Sequence, residues 1–356
     1  MAYTSWKLGG DLDVGRVGYG AMKLTGWPQG GRPDRETALA ILRKAVELGV
    51  NHIDTSHYYA RDGVAANELI RTALHPYPAD LVLVTKVGAL VEGSDIALPA
   101  SEHTGLTPDG LRRGVEANLR TLGVDRLDVV NLRMGDRGHD RSAVAAPLET
   151  LMKLRDEGLI RHIGISNIGH AEFDTARTIA PIVCVQNRYN IAYREDDPLV
   201  DACAAAGVAY VPFFPVGGFQ PLTAEHLTTV ATRHGATVAQ VALAWLLARS
   251  PNILLIPGTG SPEHLAENIA AGDLTLAGED MALLGGPDGW AVRAAQPPST
   301  LVSRSARAGA GGRRRGRRAG SARSPPRSSS RPAGCGPWAR PGRDRARRTR
   351  AAARRR

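Results

Sequence analysis

The 356-residue chain is 43% hydrophobic and 22% charged, which excludes full-length disorder and leaves enough apolar surface for a sizeable core. Its net charge of +10 is unevenly placed: residues 301–356 hold 19 arginines, no lysine and one acidic residue, Asp344, so this segment carries +18 and the first 300 residues carry −8. The longest apolar stretch, near Val241–Ala248, is far below the roughly 20 residues that a bilayer crossing needs, so a membrane-spanning protein is excluded.

In chain order, Ser5–Leu8 and Asp11–Gly15 read as a hairpin turning at Gly9-Gly10, placed to plug the floor of whatever follows. Short β-branched apolar runs then recur at Val17–Gly20, Asn51–Asp54, Leu81–Lys86, Leu127–Leu132, His162–Ser166, Val183–Gln186, Ala209–Phe213 and Ile253–Pro257. Between them lie stretches with apolar residues three and four apart, the helical period. Glu36–Leu48, Pro108–Leu122 and Val144–Glu157 are examples. Thr107 can cap the second of these, with Pro108 in the first turn where proline is tolerated. Gly158 can end the third in a left-handed cap.

Eight strands, each followed by a helix, predict parallel pairing with helices outside. Eight such units in about 270 residues match a closed (β/α)8 TIM barrel. The rival, an open doubly wound sheet, would carry a glycine-rich turn after its first strand; Gly18-Tyr19-Gly20 lacks the third glycine of that motif. Helical periodicity stops near Met281–Leu284, and the Arg-, Ala-, Gly-, Pro- and Ser-rich remainder cannot build a core. The expected organisation is a barrel over residues 1–290, with a hairpin cap, and a disordered basic tail over 291–356.

In a parallel barrel the C-terminal ends of the strands converge on one face. Asp54 ends the second strand and Lys86 the third. Arg133 lies just past the fourth, Ser166-Asn167 at the fifth and Gln186 at the end of the sixth. Tyr59 follows Asp54 by five residues. A lysine closing an apolar run needs a carboxylate such as Asp54 to stay charged. A charged lysine beside a phenol is expected to lower the phenol pKa from about 10, making Tyr59 a proton donor to a developing alkoxide. Any one of these residues alone would read as a structural ion pair or a rim aromatic; their conjunction at successive strand ends points to chemistry.

The segments His52–Tyr59, Thr85-Lys86-Val87, Gly164-Ile165-Ser166-Asn167, Val185–Asn190, Val211–Gly217 and Ile256-Pro257-Gly258-Thr259, in this order, resemble the aldo-keto reductase family over about residues 5–290. The resemblance implies a barrel that binds NADP(H) extended across its top and reduces aldehydes and ketones by hydride transfer. It implies Tyr59 as general acid, Lys86 as modulator of its pKa and Asp54 as the partner of Lys86. Ser166, Asn167 and Gln186 would hold the nicotinamide carboxamide, with Gly20, Ala21 and Met22 also beside the cofactor. Phe213 would stack on the nicotinamide, where the family usually has tyrosine, with Phe214 the neighbouring candidate. Pro215, Val216 and Gly217 would follow the pyrophosphate. Gly258, Thr259, His264, Glu267 and Asn268 match the adenosine end, where a helix start can receive phosphate.

Two departures stand out. Arg133 occupies the position of the family's usual catalytic histidine; it can donate to a carbonyl oxygen but cannot titrate. A rim arginine paired with a loop carboxylate is the competing reading. Asn131 shares its strand parity, one layer deeper. The Asn-Leu-Arg segment, with Pro-Phe-Phe-Pro, looks like a bacterial subgroup that includes pyridoxal reductases, so pyridoxal is a candidate substrate. At the adenosine 2′-phosphate, where many members carry Arg or Lys, the positions are about Gly258, Gly260 and His264, and only His264 can be charged. NADP(H) is the cofactor the family implies, with NAD(H) as the second candidate.

His57 and His103 read as loop histidines, Cys184 and Cys203 as small core residues. No metal site is expected: the three cysteines, Cys184, Cys203 and Cys335, have no paired or metal-ligand spacing. Residues 1–11 lack an export signal's apolar core, so a cytoplasmic enzyme acting on a small carbonyl substrate is expected. Its oligomeric state is not readable. The competing function is a cofactor-binding sensor of weak turnover on the same barrel. For the tail three readings compete: a phosphate-contacting nucleic-acid segment, a solvated extension, or a shifted reading frame of a GC-rich gene. The absence of lysine and the start of the tail where the barrel ends favour the third.

Overall fold

Strands and helices alternate along the computed structural model, which describes residues 5–26, 31–88, 105–134, 144–218, 222 and 225–285. The tail over 291–356, His103 and Cys335 lie outside these residues. A hairpin of β1 (Ser5–Leu8) and β2 (Leu12–Gly15) comes first, then β3 (Tyr19–Gly20) and a short 3-10 helix, Ala21–Thr25. There follow α1 (Arg35–Glu47), β4 (His52–Asp54), a small hairpin of β5 (Ala60–Arg61) and β6 (Val64–Ala65), α2 (Ala66–Leu74) and β7 (Val82–Val87). Then come α3 (Pro108–Leu122), β8 (Leu127–Arg133), α4 (Ala145–Asp156), β9 (Ile160–Ser166), α5 (His170–Ile179) and β10 (Ile182–Arg188). The described part ends with α6 (Asp197–Ala205), β11 (Ala209–Phe213), α7 (Glu225–His234), α8 (Val238–Arg249), α9 (Pro262–Ala270) and α10 (Gly278–Gly285).

Seven strands form one parallel sheet in the order β11-β10-β9-β8-β7-β4-β3. The segment from Asn252 to Pro257 joins its two edges. Leu254 N donates to Tyr210 O at 2.9 Å on one side, and Gly18 N to Leu255 O at 2.8 Å on the other. Parallel bridges at Tyr210–Ile253 and Val17–Leu255 complete the ring. The first and eighth strands are shorter than their apolar runs predict. Pro257 has no N–H to give a ladder. At Gly18 a Cβ would lie 2.2 Å from the His52 ring, so this backbone follows that side chain. Burial pushes the His52 pKa down to about 4.

Helix ends follow local chemistry. Asp34 accepts from Thr37 N at the start of α1, and Thr107 from Gly110 N at the start of α3. Thr237 and Gln240 form a reciprocal capping box on α8. Gly123 and Gly158 take positive φ after α3 and α4.

The apolar residues divide into two cores. The larger lies between the strands and the helix ring and includes Ile53, Val130, Ile165, Tyr189 and Trp245. The smaller fills the barrel: Val82, Val84, Val129, Val183, Cys184, Ala209, Val211, Leu254 and Ile256, together with Leu8, Leu12 and Val14 of the hairpin; Val183 joins its neighbour Cys184 where β10 shifts register. Alternation of side chains along each strand makes this division.

Arg16 seals the joint that closes the ring. Its guanidinium donates to the carbonyls of Leu247 (2.8 Å), Ser250 (2.6 Å) and Ile253 (3.1 Å), two of which belong to the end of α8. Helix ends leave such carbonyls without intrahelical donors. Arg16→Met keeps the aliphatic stem and removes every donor. It is expected to destabilise the barrel by about 2 kcal/mol, as loss of charged hydrogen bonds does. Urea unfolding followed by circular dichroism measures this; an unchanged midpoint would refute the sealing role.

Candidate active site

Interior positions alternate along each strand, so those at the strand ends share the barrel mouth. Val82 and Val84 lie inside the barrel, and the next residue of that parity is Lys86. The same step takes Val129 and Asn131 to Arg133, Cys184 to Gln186, and Val211 to Phe213. Register agrees: Lys86 pairs with Asn131, Arg133 with Ser166, Ser166 with Gln186, and Gly20 with Asp54. Asn131 does sit one layer down, fully buried, its Oδ1 accepting from the Cys184 thiol at 3.3 Å.

The centre of the mouth is a buried ion pair. Lys86 Nζ is 2.5 Å from Asp54 Oδ1 and donates to Thr55 O at 3.1 Å. Gln186 Nε2 donates to Asp54 Oδ2 at 2.8 Å. Asp54, Lys86 and Gln186 are each at most 3% exposed. Lys86 Nζ is also 4.9 Å from the centre of the Tyr59 ring. Tyr59 and Tyr58 meet edge to face at 5.3 Å.

The pKa of Tyr59 runs opposite to the expectation from Lys86. Burial raises it above its ordinary value, the nearby Asp54 carboxylate raises it further, and only Arg133 opposes them. Desolvation disfavours the phenolate, and the Lys86 ammonium is engaged by Asp54. The phenol is therefore held neutral, with its proton in place for donation. Burial and Tyr59 likewise push Tyr58 up to about 12.

A cleft of about 1110 Å³, counted with its open mouth, lies over this pair. Of the residues singled out from sequence it is lined by Gly20, Met22, Asp54, Tyr59, Lys86, Arg133, Gln186, Phe213, Phe214, Pro215, Val216 and Gly258. Phe213 and Phe214 pack edge to face at 5.3 Å, and the Arg133 guanidinium is 5.9 Å from the Phe213 ring centre. Gly20 and Gly258 face each other so closely that a Cβ on either would lie 2.5 Å from a carbonyl oxygen across the joint.

Other predicted residues fall elsewhere. Ala21 is fully buried in the outer core, not at the cleft. Gly217 has φ +91 and donates to Phe214 O. Thr259 accepts from the Tyr19 hydroxyl through its carbonyl, at 2.7 Å. His264, Glu267 and Asn268 are on α9, whose start is capped by Ser261 accepting from His264 N. His57 turns from the cleft and meets Asn118 Nδ2 at 3.0 Å. Sequence reasoning missed Lys23, Tyr58, Gly218, Ile256 and Pro257, which also line the cleft. Lys23 sits in the short 3-10 helix after β3, too brief to leave a periodic signal.

Two buried atoms at the strand ends have no hydrogen-bond partner among the described residues, Ser166 Oγ and Gln186 Oε1; of the two residues Gln186 lines the cleft and Ser166 lies fully buried beside it in register. With Gln186 Nε2 on Asp54, its Oε1 is left as an acceptor. One hydroxyl donor and one carbonyl acceptor are what a primary carboxamide requires. Among the described residues, no group of three or more His, Cys, Asp or Glu could hold a metal ion, and no helix is long and apolar enough to cross a membrane.

The profile of the Aldo/keto reductase family matches residues 16–286. The chain is 52% identical over 282 residues to the pyridoxine 4-dehydrogenase of Escherichia coli K12, which covers 78% of this chain and 96% of that protein. Its fold is similar to a thermostable aldo-keto reductase solved with the inhibitor epalrestat, at TM-score 0.67 and 31% identity, covering 79% of this chain and 98% of that one. It is also similar to an aldo-keto reductase from Klebsiella pneumoniae solved with NADPH, at TM-score 0.64 and 28% identity over 82% of this chain and 98% of that one.

Removing one partner of a buried pair strands the other charge, at about 3–5 kcal/mol. Asp54→Asn is therefore expected to lower the unfolding free energy by about 3 kcal/mol, read by urea denaturation, and Asp54→Asn with Lys86→Met to recover part of it. Equal stability of the single variant and the wild type would show that the pair is not desolvated.

Proposed function

The chain belongs to the aldo/keto reductase family, and from that premise we propose that its cleft reduces pyridoxal, or a similar small aldehyde, to the alcohol with NADPH. The observation that carries this reading is the buried Asp54–Lys86 pair against the ring of a neutral Tyr59 at the cleft floor. Dehydrogenation of pyridoxine and reduction of pyridoxal are the two directions of one reaction, so the Escherichia coli relative's name supports the substrate. The Klebsiella pneumoniae structure with NADPH supports the cofactor.

The residues fit the cofactor. Ser166 Oγ would donate to the carboxamide oxygen and Gln186 Oε1 accept from its nitrogen, with Asn167 alongside. Phe213 would stack on the nicotinamide. Pro215, Val216 and Gly217 would hold the pyrophosphate, and Gly258, Thr259, His264, Glu267 and Asn268 the adenosine end. Bound there, the cofactor supplies the hydride that adds to the carbonyl carbon.

Tyr59 donates its proton to the carbonyl oxygen as negative charge develops there. The phenolate left behind sits beside the Lys86 ammonium, which lowers its cost until solvent returns a proton. Asp54 holds Lys86 in place. Arg133, at the position where the family usually has histidine, donates to the same carbonyl oxygen without titrating. The described residues from Ser5 to Gly285 supply the catalytic barrel, with its hairpin as floor cap.

Tyr59→Phe is expected to lower kcat with pyridoxal by at least about 100-fold, the range of a lost general acid, with NADPH affinity unchanged. Stopped-flow and steady-state assays on an aldehyde panel measure both. Tight cofactor binding with no turnover on any aldehyde would favour the sensor instead. Fluorescence titration is expected to give tighter binding of NADPH than NADH, and the reverse order would overturn the cofactor assignment.

A further inference from the structure

Ser166 ends β9 and Asn167 begins the turn to α5, and this turn is held from behind. Asn167 is in the left-handed region, φ +64, where a non-glycine residue is strained even though asparagine tolerates it best. Its N–H donates to Gln186 O at 3.2 Å. The next residue, Ile168, has both backbone polar groups bound by one side chain: Asn187 Oδ1 accepts from Ile168 N at 3.1 Å, and Asn187 Nδ2 donates to Ile168 O at 2.7 Å. A primary amide here takes the place of a neighbouring strand after the ladder has ended. Asn187 is 1% exposed, on the opposite face of β10 from Gln186, so it cannot touch a ligand in the cleft.

Asn187 is itself fixed. Its Nδ2 also donates to Asp196 Oδ2 at 2.7 Å, and the same carboxylate oxygen accepts from the buried Tyr210 hydroxyl at 2.8 Å. Asp196 stands at the N-cap of α6 yet makes no side-chain bond to that helix. An aspartate there normally stabilises its helix by accepting from the first-turn N–H groups. Here the carboxylate turns inward and forgoes that bond. A buried carboxylate so placed costs free energy unless its partners matter, and its partners lead to one turn.

We propose that Asn187, oriented by Asp196 and Tyr210, is the positioning residue that holds the Ser166–Asn167 turn in the shape that reads the nicotinamide carboxamide. The proposal rests on the cofactor reading above and extends it to residues outside the cleft. Three backbone and side-chain contacts over-determine the left-handed turn, so the Ser166 hydroxyl and the Gln186 carbonyl stay in register with one another before any ligand arrives.

The test separates the nicotinamide end of the ligand from its adenosine end. NADPH and adenosine 2′,5′-bisphosphate are titrated into wild type, Asn187→Leu and Asp196→Asn, with melting curves to confirm folding. Asn187→Leu is expected to weaken NADPH at least about 10-fold, the scale of a displaced binding group, and to leave the bisphosphate within about 2-fold. Asp196→Asn keeps an acceptor for both donors and is expected to bind both ligands within about 3-fold of wild type. Transfer from C4-deuterated NADPH is expected to lose face selectivity in Asn187→Leu only. Should that variant not fold, Asn187→Ser, which is too short to reach Ile168, gives the same comparison. Parallel weakening of both ligands, or NADPH affinity within 2-fold of wild type, would overturn the proposal while leaving the cofactor reading intact. Failure of wild type to bind NADPH would overturn both.

Discussion

The mouth of this barrel is organised around an ammonium and a carboxylate that have been taken out of water. Such a pair returns its desolvation cost only when its remaining protons and lone pairs are also met. Thr55 O and Gln186 Nε2 meet them here. The consequence spreads outward. Because Gln186 commits its amide nitrogen to Asp54, its oxygen is directed elsewhere, and burial together with the Asp54 charge raises the Tyr59 pKa. One electrostatic requirement thus sets an acceptor's direction and a phenol's protonation state.

Much of this was legible in the sequence because parallel barrels put chemistry at a fixed place. Apolar runs that end in Asp54, Lys86 and Gln186 announce their polar layer by position alone, and helix starts such as Thr107-Pro108 carry their own stop and start signals. Val17–Gly20 and Ile253–Pro257 were less readable. Their apolar character is right, yet Gly18, Gly20 and Pro257 answer to contacts across the ring, and pattern does not encode those. Ala21, buried in the outer core beside Gly20 and Met22, shows that neighbours in sequence need not face the same cavity.

Two further residues were hidden for different physical reasons. Tyr58 enters the cleft beside Tyr59 because the chain turns tightly, with Tyr59 N bonded to Ser56 O and Ala60 N to Tyr58 O. Strand alternation would have sent one of the two rings away. Asn187 shares a motif with Gln186 but points to the other side of the sheet, where its value depends on Ile168 and Asp196. Long-range hydrogen bonding of that kind has no periodic signature, since the side chain is chosen by partners 9 and 19 residues away.

The close approach of Gly20 and Gly258 lies on the seam where the two edges of the sheet meet through 252–257, braced by an arginine. A long ligand laid from Phe213 to α9 would straddle this same line. Occupancy would then act as a rivet: the loaded enzyme would breathe less along this seam than the empty one, and amide exchange at residues 16–20 and 252–258 would slow most on saturation.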